Sequence, residues 1–210
     1  MGLYSAYLFP FFLDLSLSSA EMQKYRPQAL EPAYGEVLEI GFGTGLNLPY
    51  YSEKVKRLTA IDAELMLRAR VKRRIAEARM PVELLKLDAS GRLPFDGHRF
   101  DSVVTTLTLC SIADLAPALS EIRRVLKPDG SYVFFEHGRS PDPRVAKLQD
   151  RLNPIQKIIA CGCNLNRPID QLITAAGFEV IKLDRFQMPN VPRILSPIYQ
   201  GVAHSGKAQA

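Results

Sequence analysis

"EVLEIGFGTGLNLPYY" (residues 36–51) sets Gly41, Gly43 and Gly45 at every second position behind a short apolar run, with Glu39 two residues before the first glycine. Glycine loses more conformational freedom on folding than any other residue. A cluster of this kind therefore marks tight backbone or a ligand lying close to the main chain. An apolar strand running into glycines is also how a wound α/β sheet opens a nucleotide crevice at the strand's carboxyl end.

The chain around this stretch alternates as such a sheet requires. "EVLEIG" (36–41) reads as a buried strand, followed by a short helix and then "RLTAID" (57–62) as a second strand. "AELMLRARVKRRIAEAR" (63–79) has helical spacing, and "VELLKLD" (82–88) is a third strand. "FDSVVTTLTLC" (100–110) is the most β-branched run and is expected at the centre. A helix over 115–128, stopped by Pro128-Asp129-Gly130, leads to "SYVFFEH" (131–137). Residues 138–165 show little periodicity. A helix over 166–177 precedes the strand "FEVIKLDRF" (178–186), and "SPIYQGVAH" (196–204) follows with no helix between, so these last two strands pair antiparallel. The prediction is a doubly wound, mostly parallel α/β sheet with a hairpin at one edge.

Three acids fall at successive strand ends. The glycine spacing departs from the G-x-G-x-x-G that faces a pyrophosphate in nicotinamide enzymes, which leaves an oxidoreductase as the weaker alternative. S-adenosylmethionine carries a sulfonium, an ammonium and a carboxylate, and suits Glu39 beside a glycine loop. Asp62, 21 residues beyond Gly41, is placed to accept from ribose hydroxyls, as an acid there does for adenosine ligands in general. Asp88 and Ala89 then offer a carboxylate and a backbone amide to the adenine edge.

With these motifs, residues 36–137 resemble the class I S-adenosylmethionine-dependent methyltransferases, in the group that includes quinone-biosynthesis enzymes. The resemblance implies a seven-stranded Rossmann-like sheet whose last strand is antiparallel. It assigns the methionine portion of the cofactor to Gly41, Gly43 and Gly45, the ribose to Asp62, and adenine to Asp88 with Ala89. It also implies main-chain carbonyls of Thr106 and Leu107 for the ammonium, and adds Glu39, Phe42, Asn47, Ala63 and Met66 to the cofactor contacts. "VLEIGFGTGLNLP" and "IDAELMLRAR" are similar to bacterial phospholipid N-methyltransferases. "TLTLCSI", "EIRRVLKPDGSYVFFEH", "GCNLNR" and "YQGVA" are similar to the methyltransferase-like thiol methyltransferases of animal membranes.

The acceptor is expected at the carboxyl ends of the fourth and fifth strands. There His137 is the candidate catalytic base, because an imidazole exchanges protons near neutral pH. Cys110, Cys163 and Asn164 join His137 as candidate substrate contacts. The expected acceptor is a small-molecule or lipid-like N, S or O nucleophile; a cofactor-binding protein without turnover is the alternative. No metal is expected: "CGC" (161–163) stands without a second cysteine or histidine cluster at ligand spacing.

The composition agrees with a single globular domain of 210 residues. A net charge of +5 is spread along the chain, and "RARVKRR" (68–74) reads as a solvated helix face, so no nucleic-acid partner is expected. Three cysteines are too few for a secreted disulfide framework and point to the cytoplasm. Residues 1–35 form an N-terminal helical lid or interfacial segment, 36–204 the cofactor domain and 205–210 a flexible tail. The apolar stretch 3–18, with Tyr4, Tyr7, Phe9, Phe11 and Phe12 but interrupted by Pro10 and Asp14, is too short to span a bilayer. It is read as a packed helix, a lid or a peripheral membrane contact, in a monomer or homodimer.

Overall fold

The computed structural model describes residues 9–65 and 67–206. Tyr4, Tyr7, Met66 and residues 207–210 lie outside them. Two helices, α1 (Phe9–Leu17) and α2 (Ala20–Leu30), precede β1 (Gly35–Ile40), β2 (Val55–Asp62), α3 (Arg68–Ala76) and β3 (Val82–Lys86). Then come β4 (Phe100–Thr106), α4 (Leu115–Val125), β5 (Leu126–His137), α5 (Pro143–Ile159), α6 (Ile169–Ala175), β6 (Phe178–Gln187) and β7 (Pro197–Ser205).

The strands form one seven-stranded sheet in the order β3-β2-β1-β4-β5-β7-β6. β1 pairs in parallel with β2 on one side and β4 on the other, so the order reverses beside β1. A crevice opens at such a reversal, and the glycine loop leaves β1 there. β7 runs antiparallel to both β5 and β6, so the expected hairpin exists, with its last strand as the inner member.

Helices cover both faces, so the central strands bury both of their sides and read as unbroken apolar runs. Alternate residues divide between two cores: Leu38, Ile40, Val103 and Phe134 on one face, Val37, Val104 and Val133 on the other. β4 is the central strand, as its β-branched composition predicts.

Several boundaries differ from the sequence reading. β4 stops at Thr106 because Leu107 turns into a left-handed conformation at φ 53°. The stretch after the glycine loop makes only a 3-10 turn, Leu48–Tyr50. α3 begins at Arg68, five residues later than its apolar spacing suggests. Pro128-Asp129-Gly130 lie where the β4–β5 register shifts, between the pairs Phe100–Leu126 and Ser102–Ser131. A proline has no N–H to give to a ladder, so it sits in the irregularity.

The largest correction is α5, a 17-residue helix in the span that shows little periodicity. Asp142 caps it by accepting from the Arg144 amide at 2.8 Å, with Pro143 in the first turn. Its buried residues are Ala146 and Gln149, while Leu148, Ile155 and Ile158 are exposed. A helix buried through one small and one polar side chain carries no amphipathic signature.

Candidate functional site

The glycine loop has the geometry of a ligand cradle. Gly41, Gly43 and Gly45 all take positive φ, at 78°, 57° and 79°. At Gly41 a Cβ would lie 2.0 Å from Thr108 Oγ1, so the first glycine lets the loop pass the turn that follows β4. At Gly43 a Cβ would meet none of the described residues within 4 Å. Tight packing thus explains Gly41, whereas Gly43 presents bare backbone to open space, as a closely approaching ligand needs. Phe42 turns the other way: its side chain is buried in the core beneath Gly45.

Asp62, at the end of β2, accepts from the Gly43 amide at 2.7 Å and from the Glu64 amide at 2.9 Å. Burial pushes its carboxyl above the usual range, against the lowering effect of these two donors. The same carboxylate that shapes the loop lies at the carboxyl end of β2, beside the crevice. Ala63 beside it is exposed. Asp88 is exposed and accepts from the Ser90 amide at 2.8 Å, an Asx-type turn that presents the buried Ala89. The residues present therefore fit a nucleoside-sulfonium cofactor.

Glu39 occupies a different setting from the one its sequence position suggests. It is 1% exposed, and both of its oxygens are held by protein donors: Asn47 Nδ2 at 2.8 Å and the Tyr51 hydroxyl at 2.9 Å. Asn47 Nδ2 also donates to Thr106 Oγ1 at 3.0 Å, and Arg26 of α2 donates to Asn47 Oδ1. These groups form a buried polar post under the loop, joining α2, β1 and the end of β4. Burial pushes the Glu39 carboxyl up to about 7, although Tyr51, Asn47 and Arg26 pull it down.

A stability prediction follows from that value. Glu39 binds its proton more tightly folded than unfolded, so its contribution is fully present below about pH 4.5 and is lost as pH rises to about 7. Glu39→Gln stays neutral and keeps a partner for Asn47 and for Tyr51. Its stability relative to the parent is therefore expected to rise between pH 5 and 7 in denaturant titrations; parallel pH profiles would contradict the buried-acid assignment.

The N-terminal helices supply a second clamp, unforeseen from sequence. Asp14 of α1 is 4% exposed and meets Thr44 of the loop together with Arg70 and Arg74 of α3, the Arg74 contact being 2.8 Å. Burial favours the neutral acid, but the hydrogen bonds from Arg74, Thr44 and Arg70 outweigh it and hold the carboxyl below its usual range. Arg74 also donates to the Thr44 carbonyl at 2.8 Å. The signal for Asp14 was the lone acid in an apolar run; Arg26 left no signal, because only tertiary packing buries it.

At the far side of the rim the predicted acceptor residues converge. Cys110 follows β4 by four residues, His137 ends β5, and Cys163 follows α5 by four residues. His137 Nε2 lies 3.2 Å from Cys163 Sγ, and ligand atoms of all three residues lie within 4.8 Å of one another. Cys163 is half-buried; its hydrogen bond with Cys110 and its burial push its thiol up, against the lowering effect of His137. Asn164 lies behind, with its amide and its Nδ2 both donating to the Cys110 carbonyl at 2.9 and 2.8 Å. Arg167 donates to the carbonyls of Leu109 and Ile112, the latter at 2.7 Å. Glu136 holds the same turn from below, accepting from the amides of Thr108 and Leu109 at 2.9 and 3.1 Å. The spacing of "CGC" offers no further ligand; the fold brings two from 26 and 53 residues away.

Comparison with known proteins identifies the family and the fold. Residues 38–134 match the methyltransferase domain family. The chain is 32% identical over 171 residues to the human thiol S-methyltransferase TMT1A, covering 80% of this chain and 69% of that one. It is 35% identical over 149 residues to the phosphatidylethanolamine N-methyltransferase of Cereibacter sphaeroides, covering 70% and 72%. Among solved structures, a Burkholderia thailandensis 1,6-didemethyltoxoflavin-N1-methyltransferase with bound S-adenosylhomocysteine superposes with a TM-score of 0.67 at 19% identity, over 97% of this chain and 89% of that one.

Proposed function

Because the chain belongs to the S-adenosylmethionine-dependent methyltransferases, with S-adenosylmethionine as its methyl donor, we propose that its acceptor is the thiol of a small apolar or lipid-like molecule. The observation that carries this reading is the meeting of Cys110, His137 and Cys163 at the carboxyl ends of β4 and β5, with Asn164 behind them. The carboxyl ends of these strands are where an acceptor sulfur would meet a donor held by the glycine loop. The likeness to thiol and phospholipid methyltransferases supports an acceptor with apolar character.

When bound, the cofactor supplies an electrophilic methyl group, so the protein's work is alignment, exclusion of water and formation of the nucleophile. Asp62 and the main chain around Gly43 would hold the nucleoside, with Asp88 and Ala89 at adenine. Thr106 and Leu107 sit at the end of β4, where main-chain carbonyls can face the ammonium. Glu39, Asn47 and Phe42 support the loop from beneath. His137 would be the group that takes the proton from an acceptor thiol as its sulfur becomes the nucleophile.

Among the described residues no helix is long and apolar enough to cross a membrane. α1 nevertheless turns Phe11, Phe12 and Leu15 outward at 46%, 60% and 59% exposure, which supports a peripheral contact with a lipid surface. The free cysteines suit a reducing compartment.

Mass spectrometry on the enzyme with the donor and matched thiol, amine, phenol and phospholipid acceptors tests the acceptor class. The expected product is a methyl thioether, with alkyl thiols turned over faster than the corresponding amines. Turnover of phosphatidylethanolamine without thiol turnover would replace the thiol reading with N-methylation.

A further inference from the structure

We propose that Cys110, His137 and Cys163 form a zinc site of three protein ligands whose open fourth position takes the acceptor sulfur. The donor set is two thiols and an imidazole nitrogen, with ligand atoms within 4.8 Å of one another. Zinc binds sulfur at about 2.3 Å and imidazole nitrogen at about 2.0–2.1 Å in a tetrahedron, which sets ligand atoms about 3.5–3.8 Å apart. The 3.2 Å between His137 Nε2 and Cys163 Sγ needs to open by only a few tenths of an ångström. Two sulfurs and one nitrogen favour zinc over hard cations, and three ligands plus a vacancy is the pattern of a catalytic rather than a structural zinc.

The ligands come from three separate segments, each held in place. α5 ends in a Schellman turn: Cys161 is left-handed at φ 47°, and the Gly162 amide reaches back to the Lys157 carbonyl at 2.8 Å, which aims Cys163 at the rim. The turn bearing Cys110 is pinned to that segment by Asn164 and Arg167. His137 is fixed by the last rung of the β5–β7 ladder, opposite Ile198. Its Nδ1 is buried and has no partner among the described residues, so it is available to carry the proton when Nε2 binds metal.

The use of this site in turnover rests on the thiol reading above. A thiol entering the fourth position loses its proton to solvent and keeps a sulfur lone pair directed outward. That pair forms the new sulfur–methyl bond while the carbon–sulfonium bond breaks toward the donor's sulfur, giving a methyl thioether and S-adenosylhomocysteine. No redox partner is needed.

The test uses the whole chain, reduced, freed of metal by a chelator and titrated anaerobically with Co2+ as a spectroscopic substitute for zinc. The expected result is one equivalent bound, with a thiolate charge-transfer band and the intense visible bands of tetrahedral cobalt. Cys163→Ser and His137→Gln should each weaken binding by more than the roughly 10–100-fold seen for outer-shell changes. Cys161→Ser, at an exposed thiol outside the cluster, should leave the spectrum unchanged. Calorimetry with S-adenosylmethionine confirms that each variant is folded. Addition of an alkyl thiol should shift the visible bands. Absence of stoichiometric cobalt, a spectrum indifferent to Cys163→Ser, or full thiol methylation by metal-free enzyme overturns the site, and the last of these leaves the thiol acceptor standing. Bound cobalt whose bands ignore thiols, together with no thioether product, overturns the open-position assignment and the thiol reading together.

Discussion

Asp62→Ala is expected to weaken S-adenosylmethionine binding by about 100- to 1,000-fold in calorimetry, the largest effect of any single change at the cofactor end. The side chain has two tasks. It accepts from the Gly43 amide at 2.7 Å, which sets the loop, and in the proposed site its carboxylate also accepts from the ribose hydroxyls. Hydrogen bonds to a charged group contribute about 1.5–3 kcal/mol each, and about 1.4 kcal/mol is a tenfold change in affinity, so losing two in the lower half of that range, about 3–4.5 kcal/mol together, amounts to two or three orders of magnitude. Asp62→Asn keeps an acceptor oxygen and should fall by only about 10-fold. A folded Asp62→Ala protein with undiminished affinity would remove Asp62 from the cofactor site and take the adenosine orientation with it.

Arg26→Met should be the most destabilising single change in the N-terminal helices. Arg26 is 4% exposed and reaches through Asn47 to Glu39, two residues that are themselves buried. Removing one member of a buried charged network leaves its partners desolvated and unpaired, at a cost of about 3–5 kcal/mol. Glu39, already pushed up to about 7, can protonate in response, so the lower end of that range is expected. For a chain of this size that is a fall of about 6–12 °C in melting temperature. Because the network supports the glycine loop, donor affinity should fall as well. Combining Arg26→Met with Glu39→Gln should recover part of the loss, since the neutral amide needs no counter-charge. A melting temperature within about 2 °C of the parent for Arg26→Met would show that α2 only covers the loop without supporting it.

These two residues also mark how far the sequence could be read. The placement of Asp62 was legible because it depends on local order alone: an acid at the end of the second apolar strand, downstream of a glycine loop, in a chain that alternates strand and helix. The same logic located the strands, the antiparallel last pair and the crevice. Arg26 was not legible, since an arginine in a polar helix looks solvated until the helix is laid against β5 and the Leu48–Tyr50 turn. The roles of Glu39 and Phe42 shifted for the same reason: their positions beside the glycines were plain, but which way each side chain turned was decided by Tyr51, Asn47 and the core.

What the sequence determined by itself is thus the periodic part of the protein, the seven strands and the glycine turn, because hydrophobic alternation and backbone conformation are set by near neighbours. What only the tertiary structure decided is every feature built from residues far apart in the chain. α5 lacks an apolar stripe because it buries Ala146 and Gln149, the Asp14 clamp joins α1 to α3, and the meeting of Cys110, His137 and Cys163 spans 53 residues. Burial and ligand geometry are properties of distance in space, and a linear chain carries no direct record of it.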